Sequence, residues 1–152
     1  MMIRLLVMDV DGTLTDGKIY VGSEGEIMKS FNVKDGLGIN KLHDFGIIPV
    51  IITGRQSKIL THRANELNIT DVYQGIDSKL DILKQISDKY ECDFSEIAYI
   101  GDDENDLDCM RLCAMKGCPA DAVKEVKKIA DFVSQQSGGN GAVREFIEFI
   151  IS

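Results

Sequence analysis

The stretch VMDVDGTLTDG, residues 7–17, sets an apolar run directly against two aspartates that are one residue apart. The run is too short and too uniformly apolar for an amphipathic helix, and it is typical of a buried parallel strand. Asp9 and Asp11 therefore stand at the end of that strand. Two neighbouring carboxylates repel each other unless a cation compensates, so this strand end predicts a binding site.

Two further apolar runs, residues 47–54 and 97–103, have the same character. Helical patterns alternate with the runs and continue after the last one. They cover residues 36–44, 57–67, 78–90, 105–113, 122–130 and 142–151. This alternation predicts an α/β fold with a doubly wound, Rossmann-like, mostly parallel sheet.

One segment interrupts the alternation directly after the aspartate pair. Residues 18–31, KIYVGSEGEIMKSF, hold two β-prone runs around a Gly-Ser-Glu-Gly turn, which predicts a β-hairpin. A chain of 152 residues is the size of one domain. We therefore predict a single domain over residues 1–152, with the hairpin as a flap at about residues 17–31.

The composition argues against nucleic acid and membranes as partners of this protein. The formal charge of -8, without a Lys/Arg run interleaved with aromatics, argues against nucleic acid. The N-terminal MMIRLLVMDVDG meets a charge too early for a signal-peptide core, and no apolar stretch reaches membrane-spanning length. The four cysteines include no C-x-x-C pair and are expected to pack rather than to bind metal. We expect a cytoplasmic protein with no membrane partner.

Residues that could bind a ligand or take part in catalysis stand at the end of each apolar run. Ligands of open α/β sheets bind beyond the carboxyl ends of the strands. The second run ends at Thr53, Gly54 and Arg55, and the third ends at Asp102 and Asp103. Together with the first aspartate pair, these side chains are expected to form one site at one edge of the sheet.

The residue types at this edge suit phosphoryl transfer. Carboxylate oxygens suit Mg²⁺, with Asp9 and Asp11 as the first pair of contributors and Asp102 as the third. Asp9 can attack phosphorus and form an acyl phosphate, while Asp11 exchanges protons with the leaving group and with water. The Thr53 hydroxyl and the Lys79 ammonium, at the start of a helical pattern, would stabilise the phosphoryl oxygens.

Simpler interpretations exist for each element. The string DVDG by itself is equally compatible with a helix cap or a solvated turn. A calcium loop counted from Asp9 fails, because Leu14 and Tyr20 stand where glycine and glutamate are needed. Gly36 and Gly38 lack the third glycine of a dinucleotide-binding loop and indicate a helix start instead. The order of the polar residues at successive strand ends favours the phosphoryl-transfer site.

The strings DVDGT, IITG and GDDEND, with Lys79 between the last two, resemble the four motifs of the haloacid dehalogenase superfamily of phosphohydrolases. The resemblance implies that Asp9 is the nucleophile and Asp11 the acid and base. It implies Mg²⁺ held by the side chains of Asp9 and Asp102 and by the backbone carbonyl of Asp11. The intervals between the motifs resemble the capless class, in which a tetramer covers the site. A homotetramer with the hairpin as the tetramer-forming flap follows from that likeness.

Several strings resemble sequences of one branch of this family: TDGKIYV, FNVKDGLGI, YQGIDSKL and GGNGAVREF. Enzymes of that branch hydrolyse phosphates of 3-deoxy-ulosonate sugar acids, which feeds the synthesis of a cell-surface glycan such as lipopolysaccharide. The arginine after the second motif, Arg55, favours the eight-carbon octulosonate 8-phosphate, whose carboxylate it could bind with two hydrogen bonds. The substrate contacts implied by the resemblance are Thr53, Gly54, Arg55, Arg63 and Lys79.

Four points stay open from the sequence. The nine-carbon nonulosonate (N-acylneuraminate) 9-phosphate is the alternative substrate. A non-catalytic tetramerisation module of a sialic-acid cytidylyltransferase system is the alternative to an enzyme. Arg63 either assists substrate binding or is simply solvated. The segment GGNGAVRE, residues 138–145, either enters a neighbouring subunit's site or merely connects the last strand to the last helix.

Overall fold

The protein alternates strands and helices along the chain, and the computed structural model describes residues 2–152. The strands are β1 (Leu5–Met8), β2 (Tyr20–Gly22), β3 (Gly25–Met28), β4 (Ile48–Ile52), β5 (Asp71–Tyr73), β6 (Ile97–Ile100), β7 (Met115–Cys118) and β8 (Phe132–Val133). The helices are α1 (Val33–Asp44), α2 (Lys58–Glu66), α3 (Lys79–Lys89), α4 (Leu107–Leu112), α5 (Lys124–Ile129) and α6 (Ala142–Ile151).

Six of the strands form one parallel sheet in the order β5-β4-β1-β6-β7-β8. The first strand, β1, lies at the centre, where Leu5 is in register with Ile48 of β4 and Ile97 of β6. Both faces of β1 are covered, which is why its sequence is continuously apolar instead of alternating. The predicted fold class is confirmed.

Helices cover the two faces of the sheet. On one face, Leu6 and Met8 of β1 pack with buried residues of α1, α2 and α6. On the other face, Leu5 and Val7 pack with α3, α4 and α5. All four cysteines are buried free thiols. No helix within residues 2–152 combines the length and the apolar character needed to cross a membrane.

The interruption after β1 is a hairpin, as expected. Strands β2 and β3 pair antiparallel and form a separate two-stranded sheet. Between β1 and α1 the described chain holds this hairpin and no cap domain. The helix α1 starts at Val33, earlier than the apolar pattern indicates, because the Asn32 side chain caps it by accepting the N–H of Lys34 at 2.8 Å.

Three strands of the sheet are absent from the sequence-based prediction. Strands β5, β7 and β8 are two to four residues long and lie at or next to the sheet edges, and β5 and β7 include polar or glycine residues such as Asp71, Lys116 and Gly117. Such short, mixed segments carry no periodicity that distinguishes them from loops. Their pairing depends on the strands beside them.

Packing of α6 on the sheet gives a test of the core. Phe146 is fully buried, whereas Phe149, one turn along the same helix, is 42% exposed. We expect Phe146→Ala to lower the free energy of unfolding by about 3–5 kcal/mol, because it leaves a cavity in the core. Phe149→Ala is the matched control and should cost clearly less. Urea denaturation followed by circular dichroism measures both, and equal losses would contradict this account of the core.

Candidate active site

A polar cavity of about 200 Å³ opens at the carboxyl ends of the central strands. Residues that follow β1, β4 and β6 line it, as expected for ligand sites of open α/β sheets. These residues are Asp9, Asp11, Thr53, Gly54, Arg55, Asp103 and Asn105. The structure thus brings the ends of three separate apolar runs to one place.

The loop after β1 is a tight turn. The Val10 carbonyl accepts the N–H groups of Thr13 and Leu14 at 3.1 and 2.9 Å. Gly12 has a φ of +90°, and a Cβ at this position would overlap the Asp102 carboxylate. Glycine is therefore required here both by the backbone conformation and by the close approach of Asp102.

Lys79 joins the elements that meet at the site. It is the first residue of α3, whose N-cap is Ser78. Its Nζ lies 2.8 Å from Asp9 Oδ1 and 2.9 Å from Asp106 Oδ1, and the three side chains are almost completely buried. Burial disfavours the ammonium, but the two carboxylates outweigh this and raise the pKa of Lys79 above its usual range.

Asp106 is a site residue that the sequence-based prediction missed. It is fully buried, and besides Lys79 its Oδ1 accepts the Tyr99 hydroxyl at 2.6 Å. Its Oδ2 accepts the backbone N–H groups of Asp102 and Asp103 at 3.0 and 3.2 Å. Four donors occupy both oxygens, so Asp106 acts as an anchor for the loop after β6. Its place in GDDEND, four residues after Asp102, was the only signal available in the sequence.

Three carboxylates form a cluster that could hold a metal ion. One oxygen each of Asp9, Asp102 and Asp106 lies within 4.8 Å of the others. Since the Asp106 oxygens are already occupied by donors, Asp9 and Asp102 are the available ligands. Thr13 orients Asp102 by donating its hydroxyl to Oδ1 at 3.0 Å. A pair of carboxylates, with Asp9 buried and Asp102 half-buried beside a polar cavity, fits a hard divalent cation.

The electrostatics of the cluster favour the same conclusion. Burial, followed by the nearby Asp9 and Asp106 carboxylates, raises the pKa of Asp102 to about 9. Burial and Asp106 also raise the pKa of Asp9, against the opposing effect of Lys79. The protein without a cation therefore retains a proton at this pair near neutral pH, and a divalent cation would replace it.

The Asp11 carboxylate does not join this cluster. Its Oδ1 lies 2.5 Å from Nζ of Lys29, the residue directly after β3, and its Oδ2 lies 3.9 Å from Arg55 Nε. A metal role for Asp11 would therefore fall to its backbone carbonyl, as the family resemblance implies. Lys29 is a second residue that sequence analysis missed, because nothing in the local pattern indicates a contact across 18 residues.

The two arginines of the predicted site lie in different places. Arg55 lines the cavity, and its side chain is 44% exposed. Arg63 does not line that cavity; its guanidinium lies over the Phe31 ring at 5.7 Å, with Nη1 3.5 Å from Glu66. Arg55 lies three residues after the end of β4, whereas Arg63 lies in the second turn of α2, where it packs against α1 at Gly36.

The glycine-rich loop before α6 contacts the loop after β1 in its own chain. The N–H of Gly139 donates to the Thr13 carbonyl at 3.1 Å. A Cβ at Gly138 would overlap the Gly12 carbonyl oxygen. The segment thus connects β8 to α6 and also supports the turn that carries Asp11.

This fold and site define a class of protein. A family model described as haloacid dehalogenase-like hydrolase matches residues 58–147. The chain belongs to the haloacid dehalogenase-like hydrolases and is an enzyme of that family. The family resemblance carried by the four sequence motifs is confirmed.

Particular relatives are similar over nearly the whole chain. The 3-deoxy-D-manno-octulosonate 8-phosphate phosphatase of Yersinia pestis is 44% identical over 98% of this chain and 80% of its own, and a solved structure of that phosphatase superposes with a TM-score of 0.95. The phosphatase of the same name from Escherichia coli K12 is 41% identical over 98% of this chain and 79% of its own. A Moraxella catarrhalis structure of such a phosphatase, in complex with magnesium, phosphate and KDO, is 43% identical, with a TM-score of 0.94 over 98% of this chain and 86% of its own.

The raised pKa of Asp102 predicts that metal binding depends on pH. Because a proton must leave before the cation binds, the apparent Kd for Mg²⁺ should fall by up to about tenfold per pH unit as the pH rises from 6 towards 9. Isothermal titration in two buffers of different ionisation enthalpy would measure the Kd and the protons released. Asp102→Asn should abolish the binding. A Kd that is independent of pH, with no proton release, would contradict the prediction.

Proposed function

We propose that this protein is a Mg²⁺-dependent phosphomonoesterase that hydrolyses 3-deoxy-D-manno-octulosonate 8-phosphate through an aspartyl-phosphate intermediate. The observation that carries the proposal is the buried contact of the Lys79 ammonium with Asp9. Asp9 lies beside Asp102 and lines the same cavity as Thr53. The names of the relatives support the substrate. The proposal assigns the whole of residues 1–152 to one phosphatase domain.

The first half of the reaction is attack on phosphorus. An oxygen of Asp9 forms a bond to phosphorus while the bond to the sugar oxygen breaks, and Asp11 gives its proton to that oxygen. Lys79 fixes the attacking carboxylate, and the Thr53 hydroxyl with the Gly54 backbone binds the phosphoryl oxygens.

The second half is hydrolysis of the aspartyl phosphate. Asp11 takes a proton from a water molecule as the water oxygen attacks phosphorus, which releases phosphate and restores the Asp9 carboxylate. Asp9 and Asp102, with the Asp11 backbone carbonyl, would hold Mg²⁺, which when bound neutralises charge on the phosphoryl oxygens.

We propose that Arg55 determines substrate specificity by binding the carboxylate of the sugar acid. Its guanidinium lies at the cavity, 3.7 Å from the Glu26 carboxylate and 3.9 Å from that of Asp11, and can form two hydrogen bonds to the carboxylate of the sugar acid. The carboxylate of the substrate would thereby be matched to a cation that lines the same cavity as Asp9 and Thr53. A cytoplasmic location accords with the four buried free thiols.

The test of substrate is a comparison of kcat/KM on the eight-carbon and nine-carbon sugar-acid phosphates. With Mg²⁺ present we expect a preference of at least about tenfold for the octulosonate 8-phosphate, because Arg55 and the cavity discriminate between acids of different length. EDTA should abolish turnover. A preference for the nine-carbon phosphate would overturn the assigned substrate, and a preference for an unrelated phosphate would overturn the sugar-acid class.

The control for mechanism is a pair of aspartate variants. Asp9→Asn should lower kcat by at least about 10³-fold, because the amide cannot form the acyl phosphate. Asp44→Asn, at the exposed end of α1, should leave kcat unchanged. Turnover retained in Asp9→Asn would reject Asp9 as nucleophile. A wild type that assembles but hydrolyses no phosphate would favour the tetramerisation module.

We further propose a homotetramer assembled through the hairpin. Apolar side chains on and next to the hairpin are exposed, and burial against other subunits would remove them from water. These side chains are Ile19, Tyr20, Val21, Ile27 and Met28.

Light scattering after size exclusion tests the assembly. The wild type should have the mass of four chains, and Ile27→Glu should reduce it, since a charge cannot be buried at the subunit interface without a partner. Leu112→Glu, also at an exposed apolar position but outside the hairpin, should keep the mass of the wild type. A wild-type monomer would contradict the proposal.

A further inference from the structure

Lys29 is a buried cation that the proposed mechanism does not use. It directly follows β3, and its side chain is only 2% exposed. Its Nζ lies 2.5 Å from Asp11 Oδ1 and 3.2 Å from Glu26 Oε2. A buried ammonium is retained only where its charge is paired, and both of its partners here are carboxylates. One of them is the residue assigned to proton transfer.

The hairpin that carries Lys29 is itself fastened to the rest of the chain. Glu26 Oε1 accepts the Ser57 hydroxyl at 2.5 Å. Ser57 is the N-cap of α2 and also accepts the N–H of Leu60 at 3.1 Å. The Lys29 ammonium therefore approaches Asp11 from a segment that is fixed to α2 by side-chain contacts.

The contact distinguishes the two oxygens of Asp11. Oδ1 accepts a hydrogen bond from Lys29, whereas Oδ2 lies 3.9 Å from Arg55 Nε, beyond hydrogen-bond distance. Asp11 lines the cavity, so Oδ2 is the oxygen available for proton exchange there. Proton transfer requires the donor within hydrogen-bond reach of the reacting oxygen, and small misplacements are costly.

We propose that Lys29 is a positioning residue that fixes the Asp11 carboxylate for proton transfer to the leaving oxygen, so that the hairpin serves the active site of its own chain. This rests on the proposed function. The proton moves from Asp11 Oδ2 to the sugar oxygen as the phosphorus–oxygen bond breaks, and Lys29 keeps its own protons throughout. The same oxygen later takes the proton of the attacking water.

The alternative is that Lys29 only attaches the hairpin. The two roles differ in how the rate depends on the leaving group. An alkyl phosphate needs a proton on its leaving oxygen, whereas p-nitrophenyl phosphate releases an anion that is stable without one. Because kcat/KM covers steps only up to formation of the aspartyl phosphate, it excludes the later hydrolysis, in which both substrates share one intermediate.

The experiment compares Lys29→Met with wild type on the sugar-acid phosphate and on p-nitrophenyl phosphate. We expect kcat/KM to fall at least about tenfold on the sugar-acid phosphate and less than about threefold on p-nitrophenyl phosphate. Lys29→Arg, which retains a cation, should recover part of the loss. Lys18→Met, at an exposed lysine two residues before β2, should match wild type on both substrates. Equal losses on the two substrates, or no loss, would overturn the proposal.

Two controls keep the result interpretable. Should Lys29→Met fail to fold because it leaves carboxylates unpaired, the double variant Lys29→Gln, Glu26→Gln removes both hairpin charges and undergoes the same comparison. If wild type hydrolyses p-nitrophenyl phosphate but not the sugar-acid phosphate, the proposed function fails. The positioning role is then judged on the primary alkyl phosphate that wild type hydrolyses fastest, with the same difference between substrates expected.

Discussion

The buried ammonium of Lys79, held between Asp9 and Asp106, is the interaction on which the rest of the site depends. It connects the first turn of α3 to the end of β1 and to the loop after β6. Without this charge, three carboxylates would lie close together in a nearly dry environment, which costs several kcal/mol per uncompensated ion. The position of α3 and the ionisation of the site are therefore set by the same contact.

Asp106 fixes the position of the loop after β6. Because its two oxygens receive the Tyr99 hydroxyl, the Lys79 ammonium and two backbone N–H groups, the loop that carries Asp102 has little freedom. The Thr13 hydroxyl restrains Asp102 by donating a hydrogen bond to its Oδ1. The two carboxylates that remain available for a cation are thus held in place by hydrogen bonds from Lys79 and Thr13, as a preorganised site requires.

The hairpin brings charged side chains to the site, although its strands are not part of the central sheet. Glu26 binds the N-cap of α2, and Lys29 binds Asp11. Its outer side remains apolar and exposed. One short element therefore makes polar contacts with Asp11 of its own chain and also exposes the apolar side chains through which we propose that further copies associate.

The sequence by itself determined the parallel α/β architecture, because strands buried on both faces are continuously apolar and the helices between them are not. It also placed Asp9, Thr53 and Asp102 at strand ends, and parallel strands bring their ends to one edge. Only the tertiary structure decided the short strands β5, β7 and β8, the anchoring role of Asp106, the contact of Lys29 with Asp11, and the position of Arg63 away from the cavity. These features depend on contacts between segments distant in the chain, which the local pattern does not reveal. Neighbouring strands set the pairing of the short strands, and the charge of a distant partner sets the contacts of Asp106 and Lys29.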